Sequence, residues 1–399
     1  MHPFKRDLHN ELHARPSIQI EGPAEVFHLV ILLDGRDAEF VVARITGGTD
    51  ARPHGLVTAG GVGYKWEQHG EFLTVTCVVP DNHNRWLATP ESINRLVTDH
   101  SAQVISFSQL KVVNQRDIDG IAQFGFVDPA GSTIGQEDAS IWSDFRLTAE
   151  GTCRYLLVND SLNAYRLGRM VRRILEMETY RMMALLGLPT AQSASLALGK
   201  FEKRLSELSD QAAQPSNIHT RTIVDEAAQL SARATRLIVD SQKRFSATSA
   251  YANLVFERVK ELREGHTGDC QRFGVFIERR FRPSVRYCAA IQTRLEHTST
   301  GISNLSALLQ ARAQVEVEDQ NAQILQSLNM RASTQIKIQK AVESLSMIAT
   351  TYYLLSLLKI LYEGAAKLGL NIPTAYAVTL AIPLTMAVVW YSRSKVREL

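Results

Sequence analysis

The hydrophobic pattern changes character twice along the chain. From Ala24 to about Asn159, short apolar runs are broken by Gly, Pro and Asp: Glu25 to Leu33, Val62 to His69, Phe72 to Val79, Gln103 to Val113, Ile121 to Val127, Ile141 to Leu147 and Arg154 to Val158. Their β-branched and aromatic content predicts strands, and the pair flanking His69-Gly70-Glu71 predicts an antiparallel hairpin. Helices fit between them at Arg36 to Thr46 and Glu91 to His100, the second opened by Pro90. The expectation is an α+β domain over residues 1–160 with a mostly antiparallel sheet.

From Leu162 the period is helical. Leu167 to Leu186 places Leu167, Met170, Val171, Ile174, Leu175 and Met182 at helical spacing and stops at Gly187 and Pro189, and a second helix covers Thr190 to Ala213. Thr220 to Arg263 steps by three and four from Ile223 through Phe245 to Leu262, which predicts a coiled-coil strand. A short basic helix, Arg272 to Arg282, is expected to end at Pro283. The last helix repeats the heptad at Ile291, Leu295, Thr298, Ile302, Leu305 and Leu309, and neither Pro nor Gly interrupts it between Ile302 and Gly364. At 1.5 Å per residue, the roughly 60 residues from Ser284 to Glu343 predict a stalk of about 90 Å. Such a stalk needs neighbours, either the Thr220 to Arg263 helix folded back or copies from other subunits. Residues 161–343 are therefore read as a helical domain.

The third regime, residues 344–399, is apolar. Ser344 to Tyr362 carries one charge, Lys359, and Ala375 to Ser392 carries none. A bilayer-spanning helix needs about 20 mostly apolar residues, so the two runs predict a transmembrane hairpin joined by Glu363 to Thr374. Arg331, Lys337 and Lys340 precede it and Arg393, Lys395 and Arg397 follow it, whereas Lys359 and Lys367 lie on the far side. The positive-inside rule then places both ends in the cytoplasm, as a multi-pass protein of the cytoplasmic membrane. The opening Met1-His2-Pro3-Phe4-Lys5-Arg6-Asp7 carries no apolar leader, so the bulk is expected on the cytoplasmic side too.

Charge changes this picture little. Lys and Arg total 44 against 41 Asp and Glu, a balance that argues against a dedicated nucleic-acid binder. Cys77, Cys153, Cys270 and Cys288 show no CxxC spacing, which reads as free thiols and gives no zinc signature.

Candidate chemistry gathers in two polar stretches. His2-Pro3-Phe4-Lys5-Arg6-Asp7-Leu8-His9-Asn10-Glu11-Leu12-His13-Ala14-Arg15-Pro16 sets His2, His9, Glu11, His13 and Arg15 close together, with His9 and His13 at i, i+4 on a helix. That spacing suits a metal, and equally a capping or packing role. In Lys65-Trp66-Glu67-Gln68-His69-Gly70-Glu71-Phe72, a period of two puts Glu67, His69 and Glu71 on one strand face. That face suits a cation or the solvent side of a hairpin. Gly60-Gly61-Val62-Gly63 lacks the Lys and Ser/Thr of a phosphate loop. An enzyme would have to be built on His9, His13, Glu67, His69 or Glu71. The reading adopted is non-enzymatic and assigns no cofactor firmly, with Mg2+ or another divalent cation as the candidate.

Several of these segments resemble a bacterial family known only as domain of unknown function 3422. The resemblance is carried by His2-Pro3 with Asn10-Glu11-Leu12-His13-Ala14-Arg15-Pro16, by Trp66-Glu67-Gln68-His69-Gly70-Glu71-Phe72, and by Glu176-Met177-Glu178-Thr179-Tyr180-Arg181-Met182-Met183-Ala184-Leu185-Leu186. Val342-Glu343-Ser344-Leu345-Ser346 leading to Tyr352-Tyr353 extends it towards the C-terminus. It brings no activity with it.

The order of an N-terminal α+β domain, a long helix, two membrane helices and a basic tail is also similar to the CorA-type magnesium channel superfamily. There a Gly-Met-Asn triplet forms the pore mouth of a pentamer; here Gly369-Leu370-Asn371 lies between the two apolar runs, with Leu in place of Met. The resemblance implies a divalent cation channel in which Ser346, Thr350 and Tyr353, at i, i+4 and i+7, line the pore with Ser356 nearby. The competing expectation is an oligomeric, membrane-anchored scaffold or regulator whose partners are the bilayer and further copies of itself.

Overall fold

β1 (Ala24–Leu32) is covered on both faces, and the rest of the N-terminal fold follows from that burial. Its nearly unbroken apolar run suits a central strand, whose alternate side chains feed two different cores. Val26 and Val30 enter one; Phe27, Leu29 and Ile31 enter the other. The computed structural model describes residues 2, 4, 5, 9, 18–33, 37–48, 52–118, 120–214, 220–369 and 373–397.

The remaining elements are α1 (Asp37–Thr46), β2 (His54–Ala59), β3 (Val62–Gln68), β4 (Phe72–Pro80), α2 (Glu91–Asp99), β5 (Val104–Asn114), β6 (Ala130–Ile134), β7 (Ala139–Ser143) and β8 (Cys153–Asn159). The helices that follow are α3 (Ala164–Leu185), α4 (Gly187–Ala213), α5 (Thr220–Glu261), α6 (Phe273–Lys367) and α7 (Thr374–Arg397). Among the described residues the strands form one sheet of order β2-β3-β4-β1-β5-β8-β7-β6. All neighbours pair antiparallel except β5 and β8. The α/β sheet domain followed by long helices is thus as the sequence predicts. Helices α1 and α2 contribute Val41, Val42, Ile93 and Leu96 to one face. Helices α3, α5 and the start of α6 cover the other with Ile174, Val255 and Phe273.

Two strands escape the sequence reading, and both lie at sheet edges. β2 carries Gly55 opposite Trp66, and β6 carries Gly131 opposite Trp142. A Cβ on Gly55 would stand 2.3 Å from the Trp66 ring, and one on Gly131 2.2 Å from that of Trp142. In each case the indole lies over the glycine and supplies the cover that a side chain would otherwise give.

Other expectations are corrected. Ile121 to Val127 is not a strand: a 3-10 turn, Ala122–Phe124, ends at Gly125 with φ of 72°. The strand expected over Ile141 to Leu147 stops at Ser143, because Phe145 takes a left-handed φ of 54° and turns into the Tyr155 and Phe273 rings. Pro283 does not end a helix; α6 passes through it. Proline removes one backbone hydrogen bond there, and the buried stripe of Phe281, Cys288 and Ile291 holds the helix across the gap. The heptad of Thr220 to Arg263 is spent within the chain: Ala252, Val255, Val259 and Leu262 join the core with α3, and Phe245 packs with Ala191, Ala194, Leu198 and Ile291.

The chain divides into two compact units, Met1–Ala307 and Leu308–Leu399. The second comprises the remainder of α6 and α7, whose large apolar side chains are exposed, among them Tyr352, Leu380 and Trp390. Among the described residues, three helical stretches are long and apolar enough, by length and composition alone, to cross a membrane: Ala164–Ala213, Phe273–Lys367 and Thr374–Tyr391. The first belongs to the globular unit, where Leu167, Met170, Ile174 and Met183 are core residues.

Candidate functional site

Two of the motifs singled out in the sequence meet across the interface between the sheet and the helices. The β3–β4 hairpin brings Lys65, Glu67 and His69 against Arg172, Glu176, Thr179 and Tyr180 of α3, around a void of about 30 Å³. That is room for about one water molecule.

The hairpin residues face inward. Lys65 is 4% exposed and Glu67 15%, so this side of the strand packs on the helical layer and is not the solvent face. The Lys65 ammonium stands 3.2 Å from Glu67 Oε1, an ion pair whose geometry is not that of a hydrogen bond. Burial lowers the Lys65 pKa, against the opposing pull of Glu67. Trp66 points to the other face, where it is buried and its Nε1 donates to Arg52 O at 3.0 Å. His69 stacks on Phe72 with ring centroids 4.3 Å apart. Glu71 accepts from both terminal nitrogens of Arg244 on α5.

On α3 every polar residue of Glu176 to Arg181 has a task. Glu176 accepts from Arg172 Nε and Arg258 Nε, each at 2.6 Å. Burial works against its carboxylate, but the two guanidinium groups outweigh it and hold its pKa below the usual range. Glu178 takes both arms of Arg181, at 2.9 and 2.7 Å. Thr179 Oγ1 donates to Leu175 O at 2.8 Å. Tyr180 stacks on Tyr251 of α5 at 5.8 Å.

Thr179 also fixes the state of His28. The His28 ring lies between Thr76 Oγ1, 2.8 Å from Nδ1, and Thr179 Oγ1, 3.0 Å from Nε2. Since the one Thr179 proton goes to Leu175 O, Nε2 must carry the proton that bridges to Thr179, and Nδ1 accepts from Thr76. Complete burial, then the Lys65 charge, lowers the His28 pKa to about 3. The ring is neutral and is spent on holding β1 to α3.

Sequence reasoning missed His28, Arg172, Arg244 and Arg258. The last two were legible: Arg244, Tyr251 and Arg258 recur every seventh residue, one flank of α5, and they meet Glu71, Tyr180 and Glu176 respectively. A second buried cluster was also missed. Lys111 of β5 is fully buried between Glu25, 3.1 Å away, and Asp81. Gln109 bridges Glu25, Leu87 O and Arg154. Burial raises the Glu25 pKa against the pull of Lys111.

The other candidates that lie among the described residues do not join either cluster. His2 is exposed and its Nδ1 accepts from Phe4 N at 3.3 Å; His9 is exposed. Asn10, Glu11, His13, Arg15, Leu370 and Asn371 lie outside the described residues. Gly369 sits in a turn with φ of 87°. In the second unit Thr350 Oγ1 donates to Ser346 O at 2.9 Å, and Thr350, Tyr353 and Ser356 share a concavity of about 460 Å³ on α6.

Among the described residues no three His, Cys, Asp or Glu side chains converge as metal ligands would. The joint between sheet and helices carries a set of ion pairs: Lys65 with Glu67, Glu176 with Arg172 and Arg258, and Glu71 with Arg244. No curated protein matches the chain. The chain belongs to the family described as Protein of unknown function (DUF3422), which it matches over residues 1–399.

Proposed function

We propose that the protein is a membrane-anchored scaffold or regulator of the bacterial inner membrane, in which residues 344–399 form the anchor and Met1–Ala307 is a cytoplasmic head. The observation that carries this reading is a contrast in burial. In the head, each apolar stripe of α3 and α5 is covered by the rest of the unit. Along Leu345 to Leu361 and Tyr376 to Tyr391, large apolar side chains are exposed all round the helix. A helix apolar on every side needs lipid or protein around it. Self-association through α6 is part of the proposal, because large apolar side chains, among them Ile324, Leu328, Ile338 and Val342, are exposed along it before the first apolar run. The basic residues around the two runs support a hairpin with both ends cytoplasmic.

Fusing a reporter after Leu399 and another within residues 365–371 tests the anchor. Cytoplasmic and periplasmic signals respectively are expected, and full-length protein should stay with membranes in alkaline carbonate. Release by carbonate would refute the reading.

A second reading, a CorA-like divalent cation channel, rests on the concavity shared by Thr350, Tyr353 and Ser356. Against it, Thr350 already satisfies a carbonyl of its own helix, as hydroxyl residues in membrane helices commonly do. Vesicles carrying the purified protein and a magnesium indicator separate the two. A flux above that of empty vesicles, lowered by Asn371→Ala, favours the channel; no flux with several divalent ions ends it.

A further inference from the structure

A groove of about 580 Å³ lies between the segment after β7, the end of α3 and the start of α6. Its volume is that of a small-molecule site. Its lining combines the apolar side chains of Leu185, Leu188, Ile277 and Phe281 with three guanidinium groups, those of Arg146, Arg181 and Arg280.

The three differ in how they are held. Arg280 lies over the Phe276 ring, 4.5 Å from its centroid, and Phe276 stacks in turn on Phe145 at 4.8 Å and 9°. Stacking fixes the plane of the fork and leaves its N–H edges facing outward. Arg181 is oriented by the two hydrogen bonds to Glu178. Arg146 is exposed, and among the described residues neither it nor Arg280 has an ion-pair partner. Two acids share the rim. Asp144 is spent on the turn, its oxygens accepting from Val127 N and Arg146 N, each at 3.1 Å. Asp128 faces the groove as the remaining acid. Both Asp128 and Phe145 hold a left-handed φ of 54°, and the Ser143 hydroxyl accepts from Phe145 N at 3.0 Å to keep the second of these turns.

We propose that this groove binds a phosphate monoester with an apolar or aromatic body. Arginine forks on two different elements suit a dianion with three oxygens better than a carboxylate, which one fork satisfies. The apolar side chains of the lining take the body of the molecule. The same phosphate chemistry is offered by a soluble monoester and by the headgroup of an anionic lipid.

Calorimetric titration of the full-length protein in phosphatidylcholine nanodiscs, with empty nanodiscs as blank, tests it. Phenyl phosphate is expected to bind, and inorganic phosphate, which buries no ring, about tenfold more weakly or worse. Benzoate should also bind more weakly than phenyl phosphate. Arg146→Ala and Arg280→Ala should each weaken phenyl phosphate by about tenfold or more, the worth of one charge-assisted hydrogen bond. Asp128→Asn should tighten it. Repeating the titration with phosphatidic acid in the nanodiscs separates the two sources: weaker binding of phenyl phosphate identifies a lipid headgroup as competitor, and unchanged binding a soluble ligand. No binding of phenyl phosphate at millimolar concentration, equal binding of benzoate, or indifference to Arg146→Ala and Arg280→Ala together would overturn the proposal. The ranking of the three probes on the wild-type protein keeps the test decisive if the double variant fails to fold.

Discussion

His28 Nε2 and Thr179 Oγ1 stand 3.0 Å apart across 151 positions of sequence, and their hydrogen bond ties the central strand to the first long helix. Protonation of Nδ1 would end the hydrogen bond it accepts from Thr76 on the other side of the ring, and burial holds the His28 pKa at about 3. An unfolded histidine titrates near 6.5. Below that pH the unfolded chain binds a proton that the folded chain refuses, so stability is complete above about pH 6.5 and is lost as pH falls towards 3.

The expected slope from this one group is about 1.4 kcal/mol per pH unit between those limits. Thermal unfolding of the detergent-solubilised chain, followed by tryptophan fluorescence in a Trp390→Phe background, reads only the head, since Trp66, Trp86 and Trp142 are the remaining indoles. His28→Gln should be less stable at pH 8 yet lose less on acidification. An equal acid slope in both proteins would show that His28 is not the group responsible.

Glu176 and Arg258 make the second joint, between α3 and α5. Both side chains are mostly covered, 17% and 20% exposed, so solvent screening is incomplete. Removing either leaves its partner short of a counter-charge. A double-mutant cycle with Glu176→Gln and Arg258→Gln should return a coupling of about 1 to 3 kcal/mol. Arg173→Gln, whose partner Glu261 is 41% exposed, should cost less than about 1 kcal/mol. Coupling near zero for the first pair would remove the joint from the account of stability.

How far this arrangement was legible depends on whether a signal is local or paired. β1, the β3–β4 hairpin, α3 and α5 follow from runs and periods a single segment displays. β2 and β6 did not, because Gly55 and Gly131 break the β-branched pattern and their strand character rests on tryptophans of the neighbouring strand. Glu67 was seen as a chemical residue but given two open environments, cation site or solvent face; only the position of α3 decides for a buried joint. His28 looked like one polar residue in an apolar run, and its meaning lies in Thr76 and Thr179. The seven-residue repeat of Arg244, Tyr251 and Arg258 is present in the sequence, flanking the apolar stripe that runs from Ile223 to Leu262.

The edge tryptophans make a sharp steric prediction. Gly55→Ala drives a methyl group into the Trp66 ring and should cost about 1 to 3 kcal/mol, as overpacking does. The emission of Trp66 should shift to the red as it loses its cover and the bond to Arg52 O. Gly63→Ala, on the same sheet with only Val78 at 3.9 Å from the new Cβ, should be tolerated with the spectrum unchanged. A red shift from Gly63→Ala as large as that from Gly55→Ala would reject the steric account.

Lys111 tests what the buried cluster on the opposite face contributes. One ammonium answers two carboxylates there, Glu25 and Asp81, and both Lys111 and Glu25 are inaccessible to water. Lys111→Met keeps most of the side-chain volume but leaves the carboxylates without their cation, which should cost about 3 to 5 kcal/mol. Adding Glu25→Gln to that variant removes one uncompensated charge while keeping an acceptor for Leu87 N, so the double variant should regain stability over Lys111→Met alone. The pH dependence has a defined sign. Burial already raises the Glu25 pKa with Lys111 present, and without Lys111 the folded state holds that proton still more firmly than the unfolded chain does. The folded state then binds more protons near neutrality, so the deficit of Lys111→Met should shrink as pH falls from 8 to 5. A deficit constant over that range, or a Glu25→Gln addition that lowers stability further, would show that charge is not what the lysine supplies.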